Sequence, residues 1–233
     1  MKVSVIVATY NERGNVILLM KGVSKTLNES KCALEFIVVD DDSPDGTAGA
    51  IKKEFAKDER VKVLVRKNTR GLGTALKLGI EKSSGEVIAS LDADYTGDMS
   101  VLAKMVDLLE KKKGQMIVAS RYCHGGGMEN SLRNVSGWLF NLFLRLLGFP
   151  IWDNTSGFYV IKREDLLRLD LDKIYCGYGD YSFRLMYLAS KKGYKMVETP
   201  VFYPNRSYGQ SKTRLFQLIF GYVLEALKVR FSS

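Results

Sequence analysis

The segment VIASLDADYTGD (87–98) ends a short apolar run with three carboxylates, Asp92, Asp94 and Asp98. Like charges held together repel unless a cation or a donor lies between them. A solvated turn after a buried strand is the plain account of a single Asp-x-Asp. A cation site is the sharper one. Side chains two apart in a pleated strand point to one side, and oxygen donors with no His or Cys nearby suit Mg²⁺ or Mn²⁺ holding a diphosphate. Such a site needs basic residues for the remaining phosphate charge. The candidates are Arg121 in VASRY, Arg133 in ENSLRN, and Arg206 with Lys212 in FYPNRSYGQSKT. Taken singly, each reads as a solvated surface charge. His124, the only histidine, lies in a Gly-rich loop and is not read as a ligand.

A second acidic run, VVDDDSPDGT, holds Asp40, Asp41 and Asp42. Ser43, Asp45 and Thr47 are residue types that cap a helix N-terminus. A carboxylate at a strand end can also accept from a nucleobase N–H or from ribose hydroxyls. The glycines of TRGLGTALKLGI (69–80) are expected to permit a tight turn and close approach of the backbone to a ligand. No G-x-G-x-x-G follows the first apolar run, which argues against a dinucleotide fold and against a nucleotidyltransferase.

These residues need elements to position them. Val- and Ile-rich runs at 2–9, 35–40, 61–67, 87–92 and 115–121 lack clean polar alternation, as strands covered on both faces do. Helical periodicity falls between them, at 14–28, 46–57, 71–83 and 99–112. The alternation predicts an α/β chain with a mostly parallel central sheet flanked by helices. In such sheets ligands bind beyond the carboxyl ends of the strands, so ATYNE, VVDDDSPDGT and SLDADYTGD share one rim. A single domain is expected over 1–233: an α/β unit at 1–125, a second part at 126–212 and an amphipathic C-terminal helix at 213–233.

The stretches 132–153 and 213–231 are strongly apolar, but Asn141 and Arg145 interrupt the first, and Gln217, Glu225 and Lys228 the second. A membrane span needs about 18 or more apolar residues in a row. Amphipathic helices fit better, either packed on the core or lying on a membrane. The opening MKVSVIVATYNE lacks the features of a secretory leader and reads as a strand. Three cysteines without metal spacing point to a reducing, cytoplasmic compartment. A net charge of +9 implies acidic partners: phosphates, nucleic acid or an anionic membrane surface.

Read in order, TYNE, VVDDDSPDGT, GLGTALKLGI, DAD, VASRY, SGF and YGQSK resemble glycosyltransferase family 2. Within it the chain is most similar to the dolichyl- and polyprenyl-phosphate sugar synthases. The resemblance runs from residue 2 to about 212 and implies a GT-A fold. It implies donor contacts from Ala8, Tyr10, Glu12, Val39, Asp40, Asp41 and Ala93, and a Mg²⁺ or Mn²⁺ held with the diphosphate by Asp92 and Asp94. Arg121 and Arg133 would face the acceptor phosphate, and Arg206 and Lys212 would close over the donor phosphates.

The implied reaction is inverting transfer of a hexose, GDP-mannose being the favoured donor, to a polyprenyl phosphate. The enzyme would sit peripherally on the cytoplasmic membrane face, with no nucleic-acid partner. A relative acting on a saccharide or protein hydroxyl would need a base, and Asp180 in GYGDYSFRLM is the candidate. The plain account of Asp180 is a carboxylate at a helix N-terminus. A non-catalytic nucleotide-sugar- or membrane-binding module would not need to retain Asp92, Asp94, Arg206 and Lys212 together. The chain departs from the family pattern at Ala8, where Pro is frequent, at Thr96, where Gln is common, and at DNTSGF in place of DPxSGF.

Overall fold

The computed structural model describes residues 1–205 and 215–231. Its first half alternates β1 (Lys2–Thr9), α1 (Arg13–Glu29), β2 (Ala33–Asp40), α2 (Thr47–Glu54), β3 (Val61–Val65), α3 (Leu72–Lys82), β4 (Val87–Ser90), α4 (Ser100–Glu110) and β5 (Met116–Ser120). Every strand and helix expected there is present, with ends moved by a few residues. Thereafter come β6 (Gly127–Met128), α5 (Ser131–Leu146), β7 (Tyr159–Lys162), α6 (Arg163–Leu167), α7 (Leu171–Ile174), α8 (Tyr181–Lys191), β8 (Met196–Pro200), β9 (Phe202–Tyr203) and α9 (Leu215–Phe231).

Seven strands form one sheet in the order β3-β2-β1-β4-β7-β5-β8. All neighbours are parallel except β7, which runs antiparallel to both β4 and β5. The insertion of β7 and the addition of β8 were not foreseen. YVIK and MVETP are too short, and MVETP too polar, to carry a period. β6 and β9 pair separately. The register Thr9↔Asp40 brings the ends of β1 and β2 level.

Helices cover both sheet faces because their apolar residues recur at helical spacing. On one side α1 buries Val16, Leu19, Met20, Val23 and Leu27, and α4 buries Leu102, Met105, Val106 and Leu109. On the other, α3 packs Ala75, Leu76 and Ile80 against β1 and β2, and Leu185 and Met186 of α8 belong to the same apolar cluster. A Cβ at Gly79 would meet Ile6 Cγ2 at 2.5 Å, so α3 lies close on the sheet only because that residue is glycine. A third cluster joins α5, α8 and α9 through Leu144, Phe149, Phe183, Tyr187, Ala226 and Val229. No described helix is long and apolar enough to cross a membrane.

Candidate active site

Beyond the carboxyl ends of β1, β2 and β4 lies a cleft of about 740 Å³. Its wall includes nine of the residues expected from the sequence: Ala8, Tyr10, Glu12, Asp41, Asp92, Ala93, Asp94, Arg121 and Arg133. The others are distributed differently. Val39 is fully buried in the core beneath α3 and is not part of the wall. Asp40 is also set back: it accepts from Thr9 Oγ1 at 2.8 Å and from Ser43 N and Oγ at 2.9 and 2.6 Å. Those bonds tie β1 to the turn after β2, and Asp40 is not part of the cleft wall.

Asp41, one residue on, does face the cleft. Its carboxylate accepts from Arg66 Nε at 2.7 Å and from Gly71 N at 2.9 Å. Gly71 has φ +153°, a conformation that side-chain-bearing residues rarely take. At Gly73 the close approach is to protein: a Cβ there would meet Tyr175 O at 2.8 Å, so Gly73 lets α3 pack against the segment ahead of α8. Beside them the Arg70 guanidinium lies 4.3 Å over the Tyr10 ring, both on the cleft wall.

The three carboxylates of VIASLDADYTGD separate. Asp98 caps the start of α4, accepting from Ser100 N and Oγ at 2.8 and 2.5 Å, and these bonds hold its pKa below the usual value. Asp92 and Asp94 line the cleft, but not for the reason of strand pleating: β4 stops at Ser90, and both stand on the turn that follows, closed by Tyr95 N donating to Asp92 O. Tyr203 Oη donates to Asp92 Oδ2 at 3.3 Å. Burial, and then the Asp92 charge, push the Tyr203 phenol well above its ordinary pKa, so it remains a neutral donor. Gly157 of the SGF motif is the counterpart on the other side: a Cβ would lie 2.5 Å from Asp92 Oδ1 and 2.8 Å from Tyr181 Oη.

Among the described residues no group of three or more His, Cys, Asp or Glu is placed to hold a metal. Two carboxylates without nitrogen or sulfur nevertheless fit a hard divalent ion that takes its remaining ligands from a diphosphate and water. That is the donor set Mg²⁺ favours.

Arg121 lines the cleft, yet its Nε and Nη2 donate to Asp153 at 2.8 and 2.7 Å, and Nη2 also to Thr155 Oγ1 at 2.9 Å. Asp153 is fully buried, so this pair anchors the DNTSGF segment to the end of β5. The guanidinium sits between Tyr122 and Tyr203, 5.2 and 5.5 Å from their ring centres. Arg133 stands in the first turn of α5, where Asn130 Oδ1 caps its backbone N–H at 3.0 Å. Asp180 is off the cleft wall. It precedes α8, accepts from Tyr178 N at 2.7 Å and pairs with Arg184, which also reaches Glu225 on α9 at 3.3 Å. Arg206 and Lys212 lie outside the described residues.

The sequence reading missed Arg66, Arg70, Gly157, Tyr181 and Tyr203. Gly157 had a signal in the SGF motif; the tyrosines and arginines read as ordinary strand-end and helix residues until the chain brings them together.

The match to known proteins follows the same geometry. Residues 4–169 match the family model described as glycosyl transferase family 2. The chain is 31% identical over 226 residues to the dolichol-phosphate mannosyltransferase of Pyrococcus furiosus, covering 92% of this chain and 60% of that one. It is 33% identical over 220 residues to the polyprenol monophosphomannose synthase of Mycolicibacterium smegmatis, covering 89% and 79%. The chain thus spans about three-fifths of the Pyrococcus protein's length. Among solved structures, glucosyl-3-phosphoglycerate synthase from Mycobacterium tuberculosis with Mg²⁺ and UDP superposes with a TM-score of 0.73 at 17% identity, over 98% of this chain and 79% of that one. Mannosyl-3-phosphoglycerate synthase from Rubrobacter xylanophilus gives 0.71 at 23% identity, over 100% and 74%. These neighbours share the GT-A fold. With the family model matching most of the sheet and the strand-end carboxylates in the expected cleft, the chain belongs to glycosyl transferase family 2.

Proposed function

We propose that this chain transfers a hexose, mannose first among candidates, from a nucleoside-diphosphate donor such as GDP-mannose to the phosphate of a polyprenyl phosphate, with inversion. The observation that carries it is one cleft with Asp41, Asp92 and Asp94 toward β2 and β4, and Arg133 on a helix whose outer face is apolar. The mannosyltransferase names of the relatives point the same way. An acceptor phosphate oxygen would attack the anomeric carbon as the bond to the donor diphosphate breaks, through an oxocarbenium-like state. A phosphate monoester has a second pKa of about 6, so at neutral pH it is already a nucleophile without a general base. Asp180 is not on the cleft wall and is engaged by Arg184 and Tyr178 N, which is consistent with that economy and disfavours a hydroxyl acceptor.

Arg133 would neutralise the acceptor phosphate and hold it in line, while Tyr203 and Gly157 keep the Asp92 carboxylate in one orientation. Asp92 and Asp94 would hold a Mg²⁺ or Mn²⁺ ion, which when bound offsets charge on the departing diphosphate. Arg206 and Lys212 would add positive charge over the donor phosphates. Residues 1–125 would then serve the donor and 126–212 the acceptor.

We read the outer face of α5 as the seat on the lipid. Leu132, Val135, Trp138, Leu139 and Leu146 are exposed along it, with Phe220 and Leu224 exposed on α9. Exposed apolar side chains on one helix face beside a strongly basic chain suit a peripheral position on an anionic membrane. The cytoplasmic face is the expected side. The test is transfer of labelled mannose from GDP-mannose to a polyprenyl phosphate in detergent or vesicles, with glucose donors in parallel. Transfer to the lipid phosphate is expected; transfer only to a saccharide or protein hydroxyl would overturn the acceptor assignment.

A further inference from the structure

We infer that Arg66 is a positioning residue for the nucleoside end of the donor, acting through Asp41; this rests on the donor reading above. Arg66 follows β3, and its backbone N–H donates to Asp40 O at 2.8 Å. Its guanidinium uses all three nitrogens: Nε donates to Asp41 Oδ1 at 2.7 Å, Nη1 to Thr74 Oγ1 at 2.9 Å and Nη2 to Gly71 O at 2.9 Å. Nη2 also lies 2.6 Å from Asp41 Oδ1, with both side chains at most 10% exposed. Gly71 N donates to the other oxygen, Asp41 Oδ2, at 2.9 Å. One planar group therefore joins the ends of β2 and β3 to the Gly71 turn and the first turn of α3.

Location assigns the ligand end. Asp41 follows β2, and Asp92 follows β4, with β1 between them. Neighbouring strands lie about 4.8 Å apart, so these strand ends are roughly 10 Å from each other. A nucleoside diphosphate laid across them with its diphosphate at Asp92 and Asp94 brings its nucleoside to Asp41. A carboxylate offers about four acceptor positions. Hydrogen bonds from Arg66 and Gly71 engage both oxygens of Asp41, so the carboxylate meets the cleft in one orientation rather than as a free rotor. Lysine could supply the charge but not a planar fork with three fixed directions. Arg66 touches no reacting atom in this scheme; it sets how Asp41 and the Gly71 turn meet the nucleoside.

The test is calorimetric binding of GDP, UDP and inorganic pyrophosphate in Mg²⁺, comparing the unaltered chain with Arg66→Lys, Asp41→Asn and the double variant. Arg66→Lys should weaken the preferred nucleotide about tenfold, the scale of one lost charge-assisted hydrogen bond, and leave pyrophosphate binding unchanged. The double variant should be no weaker than Asp41→Asn alone. Thr74→Val, which removes the Nη1 partner together with the Thr74 Oγ1 bond to Gly71 O at 3.1 Å, should lose severalfold in the same nucleotide-selective way and covers the case in which Arg66→Lys does not fold. Unchanged nucleotide binding in folded variants, equal loss of pyrophosphate, or additive losses in the double variant would each overturn the assignment. If the unaltered chain binds pyrophosphate but neither nucleotide, the donor reading fails and Arg66 loses this role with it.

Discussion

At the scale of single residues, the site is defined by how its carboxylates are held. Asp92 lies against a position without a side chain, so Gly157→Ala forces a methyl to within 2.5 Å of Asp92 Oδ1 unless something moves. Overpacking of this kind costs about 1–3 kcal/mol. We expect Gly157→Ala to fold with a lowered melting temperature and to lose Mn²⁺ affinity, measured by titration with nucleotide present; unaltered Mn²⁺ affinity would mean that Asp92 is not a ligand. A second pair of variants separates the acceptor chemistries. With a lipid-phosphate acceptor, Asp180→Asn should retain most of the transfer rate and Arg133→Ala should lose it severely. Loss of a general base typically costs about 10²–10⁴-fold, so a dead but folded Asp180→Asn beside an active Arg133→Ala would establish a hydroxyl acceptor. Arg121 cannot be read in this way. Removing it strands the buried Asp153, a loss of about 3–5 kcal/mol, so inactivity of Arg121→Ala reports on folding as much as on phosphate.

The element with the clearest separate duty is α5. Its inner side meets α8 and α9 through Leu144, while Leu132, Val135, Leu139 and Leu146 stand outward at spacings of three, four and seven residues, one helical face. Arg133 on the same helix reaches the cleft, so the helix that contacts lipid would also carry the phosphate-binding cation. Leu132→Glu with Leu139→Glu should abolish flotation with anionic vesicles. Both sites are exposed, so stability should change by only about 0.5 kcal/mol each. Undiminished flotation of the double variant would remove α5 from the membrane surface. The sheet has a polar tie of its own at the opposite end from the cleft: Glu35 on β2 accepts from Ser4 on β1, Lys62 on β3, and Ser84 ahead of β4.

That tie has a consequence for the whole molecule. Burial alone would raise the Glu35 pKa, but the donors from Lys62, Ser4 and Ser84 outweigh it and bring it down to about 2 from 4.5. A depressed carboxylate stabilises the fold above its unfolded pKa, and that stability is lost as pH falls through the folded value. Denaturation midpoints should therefore hold near neutrality and decline between about pH 4.5 and pH 2. Glu35→Gln should be less stable at pH 7, by on the order of 2–3 kcal/mol, and should have a flatter profile over that window. A wild-type slope retained by the variant would assign the acid sensitivity elsewhere. Charge acts at the same scale: at +9 the chain should bind anionic vesicles more weakly as salt rises, and equal recovery on neutral vesicles would leave only the apolar contribution.

The sequence by itself determined the first five strands, the four helices between them and the rim on which Asp41, Asp92 and Asp94 stand, because period and strand-end composition are local properties. Family membership was legible for the same reason, each motif being a short run in a fixed order. Which carboxylates face the cleft was decided only by tertiary structure. Asp40 and Asp41 are adjacent, yet one is bonded into the β1–β2 junction and the other is turned to the cleft by Arg66, 25 residues away. Asp98 and Asp180 carry the same charge as Asp92 and lie close to helix starts, where backbone and neighbouring side chains engage them. Tyr203 reaches Asp92 across 111 residues because β9 returns beside the turn after β4. Strand order and loop convergence set these partnerships, and neither leaves a local period for a sequence reading to find.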